Sequence, residues 1–403
     1  MRILLLNQCF YPDHVSTSQH LTDLALLLKK SGHIITVLSS CRSYDKPKER
    51  YPSQETWSDI NIQRIWTPGL GKKTMFHRAV DAGVFWLSAA RHLMLMPRHD
   101  VIISLTSPPL ISVLGAAAAM FHRCQSMIWL MDMNPDQAVA NGVLRRGSLT
   151  ERVLSAALNW SFHKAACIVV LDRFMAKRLR EKGIRESVIQ TIPPWSHDEA
   201  IRFCADARRA FRLAHNIDDK FVVMYSGNHS PCHPLDTVLE AALRLRDNPK
   251  VHFLFVGGGS EFNKVRDFAD RHDLSEVTCL PYQPIEKLSA SLSSADLHLI
   301  VMGDPYVGIV HPCKIYNILT LGLPFLFIGP DPSHVHDICE QLDLPNHTRF
   351  ASHGDVEAVC KHLLDASKQG TLPVEPSLQA LAKKYSFEHL GARMVSTLDA
   401  IGH

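Results

Sequence analysis

Short apolar runs alternate along this chain with segments whose apolar positions recur at helical spacing. Residues 3–6 read as a buried strand, followed by a helix over about 18–31 and a strand at 34–38. A strand at 61–65 precedes a long helix near 75–95. Then come a strand at 101–105, a helix over 110–122, a strand at 127–131, a helix from about 148 and a strand at 168–171. Continuous apolar strands separated by helices predict a doubly wound parallel sheet covered on both faces. Gly32 before the second strand supplies a helix stop.

The pattern closes at Thr191-Ile192-Pro193-Pro194-Trp195, passes through a polar, arginine-rich stretch and restarts at 221–225. Further strands are expected at 251–256, 277–280, 297–301 and 324–328. The prediction is therefore α/β with two Rossmann-like units in tandem: 1–195, 196–384, and a terminal amphipathic helix over 385–403 with Ser386 as cap and Glu388 in its first turn. Sheets of this kind bind ligands beyond the carboxyl ends of their strands, and two such units predict a cleft between them.

Composition changes this picture little. A chain of 403 residues suits two domains, and 46% apolar with 21% charged residues is a globular composition. A net charge of +3 argues against a dedicated nucleic-acid binder. The ten cysteines form no C-x-x-C pair and read as reduced thiols of a cytoplasmic protein. The start is too short and wrongly flanked for a signal peptide. The apolar run at 101–121 is broken by Ser104, Thr106, Ser107, Pro108 and Pro109, so no membrane span is expected.

Candidate chemistry sits in loops that follow strands. Lys314 stands where the loop carrying Gly308, His311 and Pro312 becomes a helix, well placed to meet a diphosphate. Gly227 and Asn228 follow the strand at 221–225, and Gly257, Gly258 and Gly259 follow that at 251–256; both are turns that let backbone approach a ligand. Cys232 between His229 and His233 raises a metal reading, but the spacing matches no standard site. Asp132 and Asp136 lie just past the strand at 127–131. Asp132 is suited to holding a hydroxyl or accepting its proton, and Asp136 equally to capping the next helix. After the first strand, Ser16 and Thr17 read as helix caps, with His20 a turn later, or as groups touching a polar substrate. The helix near 75–95, with Lys72, Lys73, His77, Arg78 and Arg91 beside Phe76, Phe85 and Trp86, is either an ordinary core-packing helix or one lying on an anionic membrane.

Taken in order, FYPDHVSTSQHLTDLALLLKKSGHIITVL, WLMDMNPDQAVANGVL, IPPWSHD, YSGNHSPCH, FVGGG and PYVGIVHPCKIYNILTLGLPFLFI resemble the segments of family 4 retaining glycosyltransferases of GT-B architecture. The likeness is nearest to the bacterial enzymes of O-antigen and colanic-acid synthesis. It implies two Rossmann-like domains facing across a cleft, an N-terminal one for the acceptor and a C-terminal one for a nucleoside-diphosphate sugar, with the last helix crossing back. It further implies a polyprenyl-diphosphate-linked acceptor, no metal or other cofactor, and a peripheral place on the cytoplasmic face of the inner membrane. Donor-binding positions are then Gly227, Asn228, Gly257, Gly258, Gly308, Lys314, Ile315 and Asn317, and acceptor-side positions Ser16, Thr17 and His20. Lys314 and His233 would stabilise the leaving diphosphate, and Asp132 would contact the sugar or nucleophile.

Two departures stand out. The family's E-x₇-E pair falls here on Ile309 and Asn317, so an uncharged amide takes the ribose position and Asp304 is the nearest acidic substitute. The family's second basic group is matched only by His233, which predicts donor binding that weakens as pH rises. A sugar-nucleotide epimerase and a non-catalytic glycosyltransferase-like subunit are the competing expectations. A nicotinamide dehydrogenase is excluded because Asn7-Gln8-Cys9-Phe10 has no glycine after the first strand.

Overall fold

The computed structural model describes residues 1–13, 15–44, 46, 48–71, 75–196 and 201–402; Lys72 and Lys73 lie outside the described residues. The chain forms two compact units. The first comprises Met1–Pro194 together with Gly308–His311 and Leu390–His403, and the second Trp195–Val307 and Pro312–His389.

In the first unit the order is β1 (Arg2–Leu6), α1 (Ser16–Lys30), β2 (Ile34–Ser40), β3 (Gln54–Trp57), β4 (Ile60–Ile65), α2 (Met75–Leu95), β5 (Val101–Ser104) and α3 (Ile111–His122). Then follow β6 (Gln125–Trp129), α4 (Asp136–Ala140), α5 (Leu149–Lys164), β7 (Cys167–Val170), α6 (Arg173–Glu181) and β8 (Ile189–Thr191). The sheet runs β3-β4-β2-β1-β5-β6-β7-β8, parallel throughout except for the β3–β4 hairpin. Its core joins Leu4 and Leu6 of β1 to Phe85 and Ala89 of α2 and Ile111 and Leu114 of α3. The strands at 3–6, 34–38, 61–65 and 101–105 are where the apolar runs put them. Strands β3 and β8, polar and at the two edges, have no such signal, because an edge strand needs no continuous apolar face.

The second unit contributes α7 (Ala205–Ala214), β9 (Phe221–Asn228), α8 (Asp236–Arg244), β10 (Val251–Gly258), α9 (Phe262–Arg271), β11 (Val277–Leu280), α10 (Ile285–Ser293) and β12 (Leu297–Val301). After these come α11 (Lys314–Leu321), β13 (Phe325–Ile328), α12 (His334–Cys339), β14 (Thr348–Ala351), α13 (Val356–Gln369), α14 (Pro376–Ala382) and α15 (Phe387–Gly402). The sheet is β11-β10-β9-β12-β13-β14, wholly parallel.

The arginine-rich stretch is not a solvated linker. Within it α7 buries Arg208 and Arg212 on the two carboxylate oxygens of Asp296, at 2.5 and 2.6 Å. The same carboxylate accepts from Val222 N at 2.7 Å and Thr371 Oγ1 at 2.5 Å. Satisfying a buried carboxylate this fully is what makes its desolvation tolerable. In the last helix Ser386 Oγ accepts from His389 N at 3.2 Å, as its sequence position predicts. In the first unit Arg393 donates to Thr191 O at 2.9 Å. Among the described residues no helix is long and apolar enough to cross a membrane.

Candidate active site

The strand order of the second sheet sets its site. From β9 the chain builds outward through β10 and β11, then returns to place β12 on the other side of β9. Loops leaving β9 and β12 diverge there, opening the crevice in which such sheets bind ligands. The β9 turn and the start of α11 meet at this point. Lys314 Nζ donates to the Tyr225 hydroxyl at 2.9 Å and lies 4.3 Å from the centre of that ring. The Tyr225 hydroxyl donates to Asn228 O at 2.9 Å.

Gly227 makes this approach feasible: a β-carbon there would stand 2.8 Å from Lys314 Cε, and its φ of +127° disfavours any other residue. Among the described residues no carboxylate pairs with Lys314. Burial without a counter-ion lowers its pKa to about 7, so the ammonium is held at a cost that a bound anion would relieve.

The glycines of the next strand are explained by packing between strand ends. A β-carbon on Gly257 would lie 2.0 Å from Gly227 O, and one on Gly258 would lie 3.1 Å from the Tyr282 ring. Asn228 is exposed and Asn317 half-buried on α11. Ile315 is fully buried, which leaves its backbone N–H, one of the first-turn donors of α11, as the group a ligand would meet. Asp304 is exposed on a 3-10 turn.

Two histidines of this region differ from expectation. The His233 Nδ1–H donates to Val301 O at 2.8 Å, and burial beside Lys314 holds its pKa well below the ordinary histidine value. His233 is therefore neutral near pH 7 and does not serve as a second, pH-dependent cation, which corrects the expectation for it. The His229 Nδ1–H donates to Gly227 O at 3.0 Å, and burial pushes its pKa down to about 4. Its ring sits edge-on to Tyr225 at 4.7 Å and Phe262 at 4.8 Å, a packing role. His229, Cys232 and His233 do not bring three ligand atoms together, so the metal reading of that trio fails.

In the first unit the switch point lies between β1 and β5, whose loops are tied by Gln8 N to Ser107 O at 2.6 Å and Ser107 N to Asn7 Oδ1 at 3.2 Å. Asp132 follows the neighbouring β6 and borders a small cavity with Thr106, Pro109, Leu110 and Asn134. Burial alone raises its pKa to about 6. Asp136 is no cap: it opens α4 and is gripped through both oxygens by Lys182 at 3.1 Å.

Nor do Ser16 and Thr17 cap α1, because the N-cap is Val15, without a side-chain bond. Ser16 is exposed and Thr17 half-buried. His20 is buried, its Nδ1–H donating to Ser16 O at 2.9 Å and its ring edge-on to Trp129 at 6.3 Å. The spacing of four residues on one helix explains that bond.

Gly308–His311 packs in the first unit. A β-carbon on Gly308 would lie 2.7 Å from the Phe174 backbone, and Ile309 O accepts from Met133 N at 3.0 Å. His311 Nδ1 meets Asp172 Oδ2 at 2.7 Å, while Asp172 Oδ1 caps α6 by accepting from Phe174 N and Met175 N. Ile309, at the position of the family's first glutamate, is buried.

Two residues went unread in the sequence. Tyr225 reads there simply as a strand residue. Asp13 is buried and accepts through one oxygen from Ser43 Oγ at 2.9 Å, Tyr44 N at 3.0 Å and Tyr51 O–H at 3.1 Å, joining the loops after β1 and β2. The aspartate in an apolar-flanked loop was the available signal, but its partners lie 30 to 38 residues away.

Residues 17–195 match the profile of the glycosyl transferase 4-like domain. WcaI of Escherichia coli, named as a colanic acid biosynthesis glycosyl transferase, is 24% identical over 84% of this chain and 86% of its own. Among solved structures, HepE of Anabaena in complex with UDP and glucose superposes with a TM-score of 0.73 at 13% identity, over 99% of this chain and 100% of that one. WaaG, a glycosyltransferase involved in lipopolysaccharide biosynthesis, superposes at 0.68 and 16% identity, over 99% of each chain. At these identities the superpositions establish the fold, two α/β units of the GT-B kind.

Proposed function

We propose, for a glycosyltransferase whose residues 17–195 are a glycosyl transferase 4-like domain, that it moves a sugar from a nucleoside-diphosphate donor to a lipid-linked glycan during cell-surface polysaccharide synthesis. The observation that carries this reading is Lys314: a half-buried ammonium at a helix start, beside a glycine turn, with no carboxylate partner among the described residues. As the bond to the sugar breaks, negative charge develops on the departing diphosphate. A preorganised cation and the first-turn N–H groups of α11 stabilise that charge more than they stabilise the ground state. Asn317 holds the ribose as a neutral hydrogen-bond partner. Asp132 holds the acceptor hydroxyl at the cavity mouth, and the configuration at the anomeric carbon is retained without a metal ion.

The donor class is supported by HepE, solved with UDP and glucose, and the pathway by WcaI, named for colanic acid biosynthesis. The test is direct. Lys314→Ala is expected to abolish transfer from UDP- or GDP-sugars to a polyprenyl-diphosphate glycan and to weaken the thermal stabilisation those donors confer. Unchanged transfer would sink the proposal, and an isomerised sugar formed without acceptor would identify an epimerase. The anomeric signal of the product reports retention.

The acceptor's lipid implies a membrane surface, and α2 supplies one. Leu87 (70% exposed), Met94 and Leu95 share the solvent face of this helix with Arg91, and Arg78 is exposed in its first turn. Met120 and Phe121 extend it from the adjacent α3. Exposed apolar side chains among arginines suit an anionic bilayer. Flotation with phosphatidylglycerol vesicles, weakened by Leu87→Glu with Met94→Glu, checks this.

A further inference from the structure

Among the described residues one side chain, Tyr225, hydrogen-bonds the Lys314 ammonium, and that side chain has a fixed polarity. The Tyr225 hydroxyl carries one proton, which it gives to Asn228 O at 2.9 Å. Its lone pairs are thereby left to accept, and they accept from Lys314 Nζ at 2.9 Å. The relay runs one way, from ammonium to phenol to the backbone of the glycine turn. Tyr225 itself is anchored by its packing. It is fully buried on the central strand β9, its ring packed edge-on to His229. The ammonium rests 4.3 Å above that ring, over the space Gly227 leaves open.

We propose that Tyr225 is a positioning residue for the donor diphosphate: its hydroxyl and ring fix the ammonium of Lys314 over the Gly227–Asn228 turn, with the remaining N–H bonds available to an anion. This rests on the reading of Lys314 as the diphosphate group. An unheld lysine loses several rotors on binding, whereas one already fixed loses little, so the tyrosine contributes to affinity without touching the donor. The phenol also favours the charged form of Lys314 by accepting from it. Among the described residues the other titratable groups facing Lys314 are His229 and His233 from the β9 turn, both neutral near pH 7, and Cys313 beside it. No carboxylate among the described residues shares this duty.

Tyr225→Phe keeps the ring and removes the relay. UDP and GDP are the probes, by calorimetry, and kinetics use the donor sugar found to turn over. Loss of a hydrogen bond to a charged group predicts about tenfold weaker UDP binding and a similar rise in donor KM, with kcat changed less. The alkaline limb of kcat/KM moves to lower pH, because the ammonium loses its acceptor. In a Lys314→Ala background the same substitution has no further effect on UDP binding.

A role confined to packing would lower the melting temperature while leaving the pH limb and the KM-to-kcat split where they were, and that result overturns the proposal. An equal loss of UDP binding in the presence and absence of Lys314 overturns it too. If Lys314→Ala leaves nucleotide binding intact, the underlying reading of the lysine has failed. If Lys314→Ala weakens binding and Tyr225→Phe does not, the positioning role alone has failed.

Discussion

A β-carbon on Gly227 would stand 2.8 Å from Lys314 Cε, so the lysine side chain lies in space that only a glycine leaves open. Gly227→Ala is therefore expected to displace Lys314 and weaken nucleoside-diphosphate binding by about tenfold or more, the cost of one charge-assisted contact. The φ of +127° adds strain to any replacement, so the variant should also melt earlier. Calorimetric titration with UDP, alongside thermal unfolding, separates the two effects. Unaltered UDP affinity would show that the lysine is not placed by the glycine.

Donor binding should take up a proton. Lys314 has a pKa of about 7 when the site holds no anion, and a diphosphate raises it. Affinity is then full below pH 7 and falls as pH climbs above 7. Titrations of UDP in buffers of different ionisation enthalpy at pH 8 should report net proton uptake that Lys314→Ala abolishes. His233→Gln should leave that pH dependence in place, because His233 is neutral throughout this range.

The same lysine affects stability with the opposite sense. Its pKa in the folded chain lies below the ordinary value of 10.5, so between about pH 7 and 10.5 the unfolded chain binds the extra proton. The contribution of this group to stability rises with pH across that window. At pH 7 and below, Lys314→Met removes an ammonium without a counter-ion from a confined site and should raise the melting temperature while weakening donor binding. A fall in melting temperature at pH 6.5 would contradict this.

Asp132 titrates near 6 because it is desolvated. If it holds the acceptor hydroxyl as a carboxylate, kcat/KM for the acceptor rises through pH 6 and Asp132→Asn removes that acid limb. Stability runs the other way: the folded chain binds the extra proton between the ordinary aspartate value and 6, so this group's contribution declines as pH rises through that window. The rate profile of the two proteins from pH 5 to 8 is the check.

Asp296→Ala leaves Arg208 and Arg212 buried without their carboxylate and should destabilise the second unit by about 3–5 kcal/mol, the usual cost of breaking a buried ion pair from one side. Urea unfolding measures it. A loss under 1 kcal/mol would mean that water reaches the arginines.

Two kinds of information separate cleanly in this chain. The apolar runs at 3–6, 101–105, 221–225, 251–256 and 297–301 specify buried parallel strands by themselves, because a strand covered on both faces must be apolar over its length. The two-unit α/β plan follows from their alternation with helices, and Lys314 and Gly227 were visible as a helix-start cation and a strand-end glycine. Strands β3, β8 and β14 were not legible, since polar edge strands carry no such pattern.

What the tertiary structure alone decided is which distant groups meet. Tyr225 and Lys314 are 89 residues apart, and Arg208 and Asp296 are 88 apart. No local periodicity encodes either pair. The return of β12 to the flank of β9 brings the start of α11 to the β9 turn, and the same pairing sets Asp296 beside Val222. Charge states were decided in the same way. Histidines 229 and 233 became neutral, and Lys314 and Asp132 were drawn toward neutrality, because burial removes the water that would have stabilised their ions. Chain order alone does not specify that burial.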